Sequence, residues 1–365
     1  MRIVITGGGT GGHLFPGIAL AGGMQRLRER CEILFITTAR TLDLEVLAGQ
    51  TFSCRPLAFS GIKGKGLRGS LLSLARLPGA VGRAYGMIRS FRPQLVFGVG
   101  GYVTVPVLLA AKLQRIPVCI HEQNSVPGLA NRLLARIADR IFLSLPCKGV
   151  GGSKVVLAGN PVRQSIVEAA ELRTGKVGTG SPCILVLGGS QGAHALNLLM
   201  LDAVEQLAAA DGTTAAVRIR VIHQTGRADY ELVRKRYGQL GIEAEVNPFF
   251  RDMASIYSQA DLVVARAGAT SLAELAVMGL PALLVPYPYA ADNHQEKNAR
   301  YYEQQGGALV MREQELDGAE LAVTIQRLLR DSVRLHAMAR KMRQAGRPEA
   351  VHLIVQGCLD MVKCS

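Results

Sequence analysis

Ile3-Val4-Ile5-Thr6-Gly7-Gly8-Gly9-Thr10-Gly11-Gly12-His13 opens the chain, and Ile184-Leu185-Val186-Leu187-Gly188-Gly189-Ser190-Gln191-Gly192-Ala193-His194 repeats its pattern half a chain later. Each stretch is a short apolar run, then a glycine turn, then a helical segment that begins near a His. A short apolar run closed by glycines reads as a buried strand. The turn after it brings backbone amides and a helix N-terminus toward an anion. Two such openings predict two α/β domains, each starting with the same strand–turn–helix unit.

Working outward, further strand candidates are Glu32–Thr37, Leu95–Val99, Val118–His121, Arg140–Leu143 and Val155–Ala158 in the first half. Arg218–Gln224, Leu262–Ala265 and Ala282–Val285 follow in the second. Near-continuously apolar strands alternating with helical stretches predict parallel sheets covered on both faces. The expected fold class is α/β, with two doubly wound, Rossmann-like domains. Gly159-Asn160-Pro161-Val162-Arg163 marks the expected boundary, giving domains at 1–160 and 161–346. In such sheets ligands bind beyond the carboxyl ends of the strands. Two of them facing each other would form one cleft.

At 365 residues the chain exceeds what one core usually holds. A hydrophobic content of 48% and a mean hydropathy of +0.20 exclude a disordered chain. No apolar run is long enough to span a bilayer, and the first one is too short for a signal peptide. The seven cysteines form no C-x-x-C pair, so reduced thiols are expected. The net charge of +14 is unevenly placed: residues 1–160 hold 20 Lys/Arg against 6 Asp/Glu, whereas the remainder is balanced. A basic half calls for an anionic partner.

Gly7–Gly12 fits G-x-G-x-x-G. A nicotinamide dinucleotide would require an acid ending the second strand, and Thr37-Thr38-Ala39-Arg40 supplies none. A diphosphate-facing turn is the expectation, using Gly8 and Gly9. Gly98-Val99-Gly100-Gly101-Tyr102 is a second amide-rich turn, and Gly100, Gly101 and Tyr102 are expected at the same anion. His121-Glu122-Gln123-Asn124 places four polar residues at a strand end, where idle burial is costly. They are expected to line the cleft. His13, at the start of a helix, is a candidate general base near neutral pH. In Arg266–Glu274, Gly268 permits a turn, Thr270 and Ser271 can cap a helix, and Glu274 could accept from the two hydroxyls of a ribose. Asp292–Asn298 is dense in amide and acid groups suited to sugar hydroxyls. Each has a plainer alternative: a packing turn, an exposed loop, a capping His, a capping-box glutamate or a polar helix start. Without D-x-D, H-E-x-x-H or C-x-x-C, no catalytic metal is supported and no cofactor is expected.

Gly61–Arg92 carries Lys63, Lys65, Arg68, Arg76, Arg83, Arg89 and Arg92 with no acid. Leu67, Leu71, Leu74, Leu77 and Val81 recur among them at helical spacing. Such a stripe suits an anionic bilayer surface, where each cation contributes roughly 1 kcal/mol. The alternative is a stripe packed on the sheet beside solvated cations. Nucleic acid is not expected as a partner, because aromatics are only 5% and no stacking cluster accompanies the cations.

Taken together and in order, Thr6–His13, Gly98–Tyr102, His121–Asn124, Gly159–Arg163, Gly188–Ala193, Arg266–Glu274 and Asp292–Gln295 make the chain resemble the MurG family. These are the family 28 bacterial glycosyltransferases that convert lipid I to lipid II in peptidoglycan synthesis. The resemblance runs from Met1 to about Leu359. It implies a two-domain GT-B fold, with residues 347–365 as a helix returning to the first domain. It implies UDP-N-acetylglucosamine (UDP-GlcNAc) as donor and lipid I as acceptor, without a cofactor. Residues implied to contact the donor are Thr10, Gly11, Gly12, Asn124, Arg163, Ser190, Gln191, Gly192, Phe250, Ala269, Thr270, Ser271, Leu272, Glu274, His294 and Gln295. Gly8, Gly9, Gly100, Gly101, Tyr102, His121 and Glu122 would face the acceptor diphosphate. Lys63, Lys65, Arg68, Leu71, Leu74, Arg76, Leu77, Val81 and Arg83 would meet the cytoplasmic face of the inner membrane. Proteins of cell-wall synthesis and division are candidate partners. The rivals are a UDP-GlcNAc 2-epimerase of the same fold, a non-catalytic nucleotide-sugar-binding membrane subunit, and an NADP oxidoreductase. The epimerase would need an acidic cluster that the first half poorly supplies.

Overall fold

The computed structural model describes residues 1–27, 30–59, 75–147, 150–173, 181–189, 191–209 and 218–363. They divide into two compact units, Met1–Arg163 with Pro348–Ser365, and Gln164–Arg347.

The first unit is built on a parallel seven-stranded sheet of order β3-β2-β1-β4-β5-β6-β7. Its strands are β1 (Arg2–Gly7), β2 (Glu32–Thr37), β3 (Ser53–Pro56), β4 (Leu95–Gly100), β5 (Val118–Glu122), β6 (Arg140–Leu143) and β7 (Val155–Leu157). Successive side chains point to opposite faces of a strand, and both faces are apolar here. Ile3, Ile5, Ile33, Phe35, Leu95 and Phe97 enter one cluster, while Val4, Leu34, Ile36 and Val96 enter the other. Helix α1 (Gly11–Leu27) covers the first face with Leu14, Leu20 and Met24. The C-terminal helix (Ala350–Lys363) joins it there through Ile354, Val355 and Cys358. Helix α2 spans Thr41–Leu47. Helix α3 (Leu77–Phe91) buries Ala80, Ala84 and Ile88, spaced one turn apart, and α4 (Thr104–Leu113) lies with it over the second face.

The second unit repeats the plan with six parallel strands in the order β10-β9-β8-β11-β12-β13. They are β8 (Cys183–Leu187), β9 (Arg220–Gln224), β10 (Glu243–Asn247), β11 (Leu262–Ala265), β12 (Ala282–Leu284) and β13 (Ala308–Val310). After α5 (Leu129–Leu134) of the first unit, the helices continue here with α6 (Gln164–Leu172), α7 (His194–Ala209), α8 (Tyr230–Gln239), α9 (Met253–Gln259), α10 (Ala269–Met278) and α11 (His294–Gln304). In both sheets the first strand of the half, β1 or β8, is central, and the order reverses beside it. That reversal is the switch point where doubly wound sheets bind ligands. In the first unit Thr6 pairs with Gly98 and Gly7 with Gly100, so the two glycine turns emerge side by side.

The strands missing from the sequence reading, β3, β10 and β13, are all sheet edges. β3 is largely exposed and carries Arg55 and Pro56, β10 is half-exposed, and β13 has three residues. β3 and β10 offer no apolar run by which a central strand is recognised, and β13, Ala308-Leu309-Val310, is apolar but short.

Candidate active site

In the first unit the turn after β1 and the turn after β4 touch. A Cβ on Gly101 would strike the Gly8 carbonyl, and one on Gly100 would lie 2.6 Å from Cδ2 of His13. Glycine is therefore what lets the two turns close on each other and on the imidazole. His13 sits in the first turn of α1, half-buried, with Nδ1 3.0 Å from the Thr10 hydroxyl. The Thr10 carbonyl accepts from the amides of His13 and Leu14, both at 3.2 Å, and so starts the helix.

A carboxylate that the sequence reading overlooked lies behind this turn. Asp43, in the first turn of α2 and 1% exposed, accepts from the Gly9 amide at 2.8 Å and the Thr38 hydroxyl at 2.5 Å. The only signal for it was an acid six residues past the end of β2. This corrects one expectation: the Gly9 N–H is committed to Asp43 and does not point at a ligand.

The polar run at the end of β5 is corrected as well. His121 is fully buried, with Nε2 at 3.0 Å from the Gly159 carbonyl and Nδ1 at 3.0 Å from Nε2 of Gln123. The Gln123 amide donates to Nδ1, so the ring N–H is on Nε2 and donates to Gly159. Burial pushes its pKa down to about 4, opposed by the Gly159 bond, and the imidazole is neutral. Glu122 is 3% exposed. Its two oxygens accept from the amides of Asn124 (2.9 Å) and Gly128 (3.0 Å) and from the side chains of Asn124 (3.1 Å) and Asn131 (2.8 Å). His121 and Glu122 are thus interior supports rather than cleft lining, and they fix the loop that carries Asn124. Arg163 sets its guanidinium 5.1 Å from the centre of the Phe15 ring, two residues past His13.

In the second unit the glycine turn leads from β8 into α7 (His194–Ala209). Gln191 and Gly192 lie on it, and Ser190 is outside the described residues. Gln224, at the end of β9, braces the turn: its amide donates to the Gly189 carbonyl (3.1 Å) and its carbonyl accepts the Phe250 N–H (3.0 Å). Ala269, Thr270, Ser271 and Leu272 form the first turn of α10 (Ala269–Met278), which starts just past β11. Glu274, one turn further and 5% exposed, accepts from the Tyr257 hydroxyl at 2.8 Å. Gln224 and Tyr257 carried no motif and were missed. Gln295 and His294 open α11 (His294–Gln304) after the left-handed residues Asp292 and Asn293. The Gln295 side-chain carbonyl accepts from the amides of Ala267 (3.2 Å) and Tyr287 (3.0 Å), joining the loops after β11 and β12. His294 Nδ1–H donates to the Ala291 carbonyl at 2.7 Å. Arg266, 7% exposed, donates to the Val285 carbonyl (3.1 Å) and pairs with Glu313.

Lys63, Lys65, Arg68, Leu71 and Leu74 lie outside the described residues. Of the same expected surface, Arg76 and Arg83 are exposed and Leu77 is half-buried. Val81 corrects the stripe: it packs against the interior cluster of the second face. Among the described residues, no helix is long and apolar enough to cross a membrane, and no three His, Cys, Asp or Glu group to hold a metal.

Residues 3–143 match the glycosyltransferase family 28 N-terminal domain and residues 183–354 its C-terminal domain. The chain belongs to glycosyltransferase family 28. It is 46% identical, over 99% of its length and 97% of the relative's, to the UDP-N-acetylglucosamine--N-acetylmuramyl-(pentapeptide) pyrophosphoryl-undecaprenol N-acetylglucosamine transferase of Desulfotalea psychrophila. The protein of that name from Anaeromyxobacter dehalogenans is 42% identical over 100% of this chain and 94% of its own. The crystal structure of Acinetobacter baumannii MurG superimposes with a TM-score of 0.77 at 29% identity, covering 100% of this chain and 99% of that one. The UDP-GlcNAc 2-epimerase of Neisseria meningitidis, at 13% identity and a TM-score of 0.67 over 99% of this chain and 100% of its own, shares the fold alone.

Proposed function

We infer that the protein moves N-acetylglucosamine from UDP-GlcNAc to undecaprenyl-diphosphoryl-N-acetylmuramyl-pentapeptide, lipid I, and so forms lipid II for peptidoglycan. Full-length identity of 46% to a transferase of that name carries the reading. The two glycine turns supply the chemistry it needs. The muramyl C4 hydroxyl attacks the anomeric carbon, UDP leaves, and a β-1,4 bond forms with inversion.

His13 is the proposed general base. Nδ1 faces the Thr10 hydroxyl; with the ring proton on Nδ1, Nε2 is the nitrogen that takes the hydroxyl proton. The leaving diphosphate is met by Ser190, by the turn at Gln191 and Gly192 and by the start of α7, where aligned amides favour negative charge. Glu274 accepts from the ribose hydroxyls, held in place by Tyr257. Ala269 to Leu272, Phe250, His294, Gln295, Asn124, Arg163 and Thr10 to Gly12 complete the donor contacts. The side-chain carbonyl of Gln295 is spent on backbone, so its NH₂ is the end that meets the sugar. Gly100, Gly101 and Tyr102 face the acceptor diphosphate, with Gly8 beside them. The cations of residues 63–83 rest on anionic headgroups at the cytoplasmic face.

UDP release tests the reaction type. Release that depends on a short-chain lipid I analogue supports transfer, and acceptor-independent turnover to a second sugar isomer would favour the epimerase. Replacing the base, His13→Ala, is expected to lower kcat by ~10²-fold or more with UDP affinity unchanged. A kcat within a few-fold of wild type would remove His13 from the role.

A further inference from the structure

We propose that Asp43, together with Arg40, is a positioning residue for the transfer step, gripping the Gly9 peptide so that Thr10 and His13 are held where the acceptor hydroxyl arrives. The proposal rests on the transfer reading above. Both polar groups of Gly9 are taken, and by opposite charges: its N–H donates to Asp43 Oδ2 at 2.8 Å and its C=O accepts from an Arg40 guanidinium nitrogen at 2.6 Å. Bonds to ionised partners are roughly twice as strong as neutral ones. The hydroxyls of Thr38, at 2.5 Å, and Thr37, at 3.4 Å, also reach the same carboxylate oxygen. A Cβ on Gly8 would stand 2.7 Å from that oxygen, so the carboxylate is packed against the turn itself.

The next residue along is Thr10, whose carbonyl begins α1 and whose hydroxyl meets His13 Nδ1 at 3.0 Å. The grip therefore reaches the imidazole in two short steps, and Gly100 backs the ring from the other side. A buried carboxylate is a poor way to gain stability, because desolvation offsets its attractions. A charge that fixes one turn beside the reacting group explains its place.

The test compares Asp43→Ala, Asp43→Asn and Arg40→Ala for kcat, acceptor KM, UDP affinity and Tm. Displacing a reacting group by about 1 Å can cost ~10²-fold, so Asp43→Ala is expected to lower kcat by ~10- to 100-fold. Asp43→Asn keeps an oxygen for the Gly9 N–H and should recover most of that loss. Arg40→Ala alters an exposed side chain, and should lower kcat several-fold with Tm unchanged. UDP affinity, carried mainly by the second unit, should change by less than kcat does, since Thr10 to Gly12 supply only part of the donor contacts. Wild-type kcat in folded Asp43→Ala and Arg40→Ala, or a loss that only tracks the unfolded fraction, overturns the positioning role while leaving the transfer reading intact. A wild-type protein that binds UDP yet transfers no sugar overturns both.

Discussion

Glu122 accepts four hydrogen bonds from Asn124, Gly128 and Asn131. Its removal leaves buried donors without an acceptor, each at a cost of ~1–3 kcal/mol. Glu122→Ala should lower stability by ~3 kcal/mol or more and raise the donor KM through Asn124, as thermal melts and initial rates would show; an unchanged KM would separate the loop from donor binding. His121 gives a pH dependence. Its pKa falls from 6.5 unfolded to about 4 folded, so the unfolded chain binds more protons between those values. The stability is complete above pH 6.5 and drains away as pH falls toward 4, by up to about 1.4 kcal/mol per pH unit. Urea midpoints across that window should fall steeply in wild type and less in His121→Gln. The sequence marked residues 121–124 as a polar group with a purpose. Whether such a group faces a ligand or the interior depends on the partners around it, and Gly159, Gly128 and Asn131 are brought to it only by folding. Asp43 was hidden for the same reason, since nothing local says that α2 turns a carboxylate back toward Gly9.

Among the elements, the central strands were readable because burial on both faces leaves an uninterrupted apolar run. The edge strands β3 and β10 were not, because an edge half in water needs no such run, and β13 was passed over as a run of only three residues. The C-terminal helix docks on α1 so closely that a Cβ on Gly23 would overlap Val351. Gly23→Val should push the helices apart and cost about 2 kcal/mol, roughly 4–8 °C of Tm for a unit of this size. A melt unchanged by that substitution would contradict the packing. The stripe at Leu77 and Val81 illustrates the limit of periodicity: spacing shows that a helix has an apolar face but not what covers it.

Across the whole molecule, the repeat of strand, glycine turn and helix predicted two sheets, and each reverses its order beside the repeated strand. The charge of the first 160 residues has a measurable consequence. Sedimentation with phosphatidylglycerol vesicles should retain the protein at low salt and release it near 1 M, where the screening length is about 3 Å. Arg76→Glu with Arg83→Glu should weaken retention several-fold, and equal binding to neutral vesicles would contradict an electrostatic attachment. The transfer reaction is tested most directly by incubating the protein with UDP-GlcNAc labelled in the sugar and a short-chain lipid I analogue, then separating lipid from nucleotide. The account predicts label in the lipid fraction as a β-1,4-linked disaccharide. Label that stays with the nucleotide, or leaves it only as free or isomerised sugar, would contradict it.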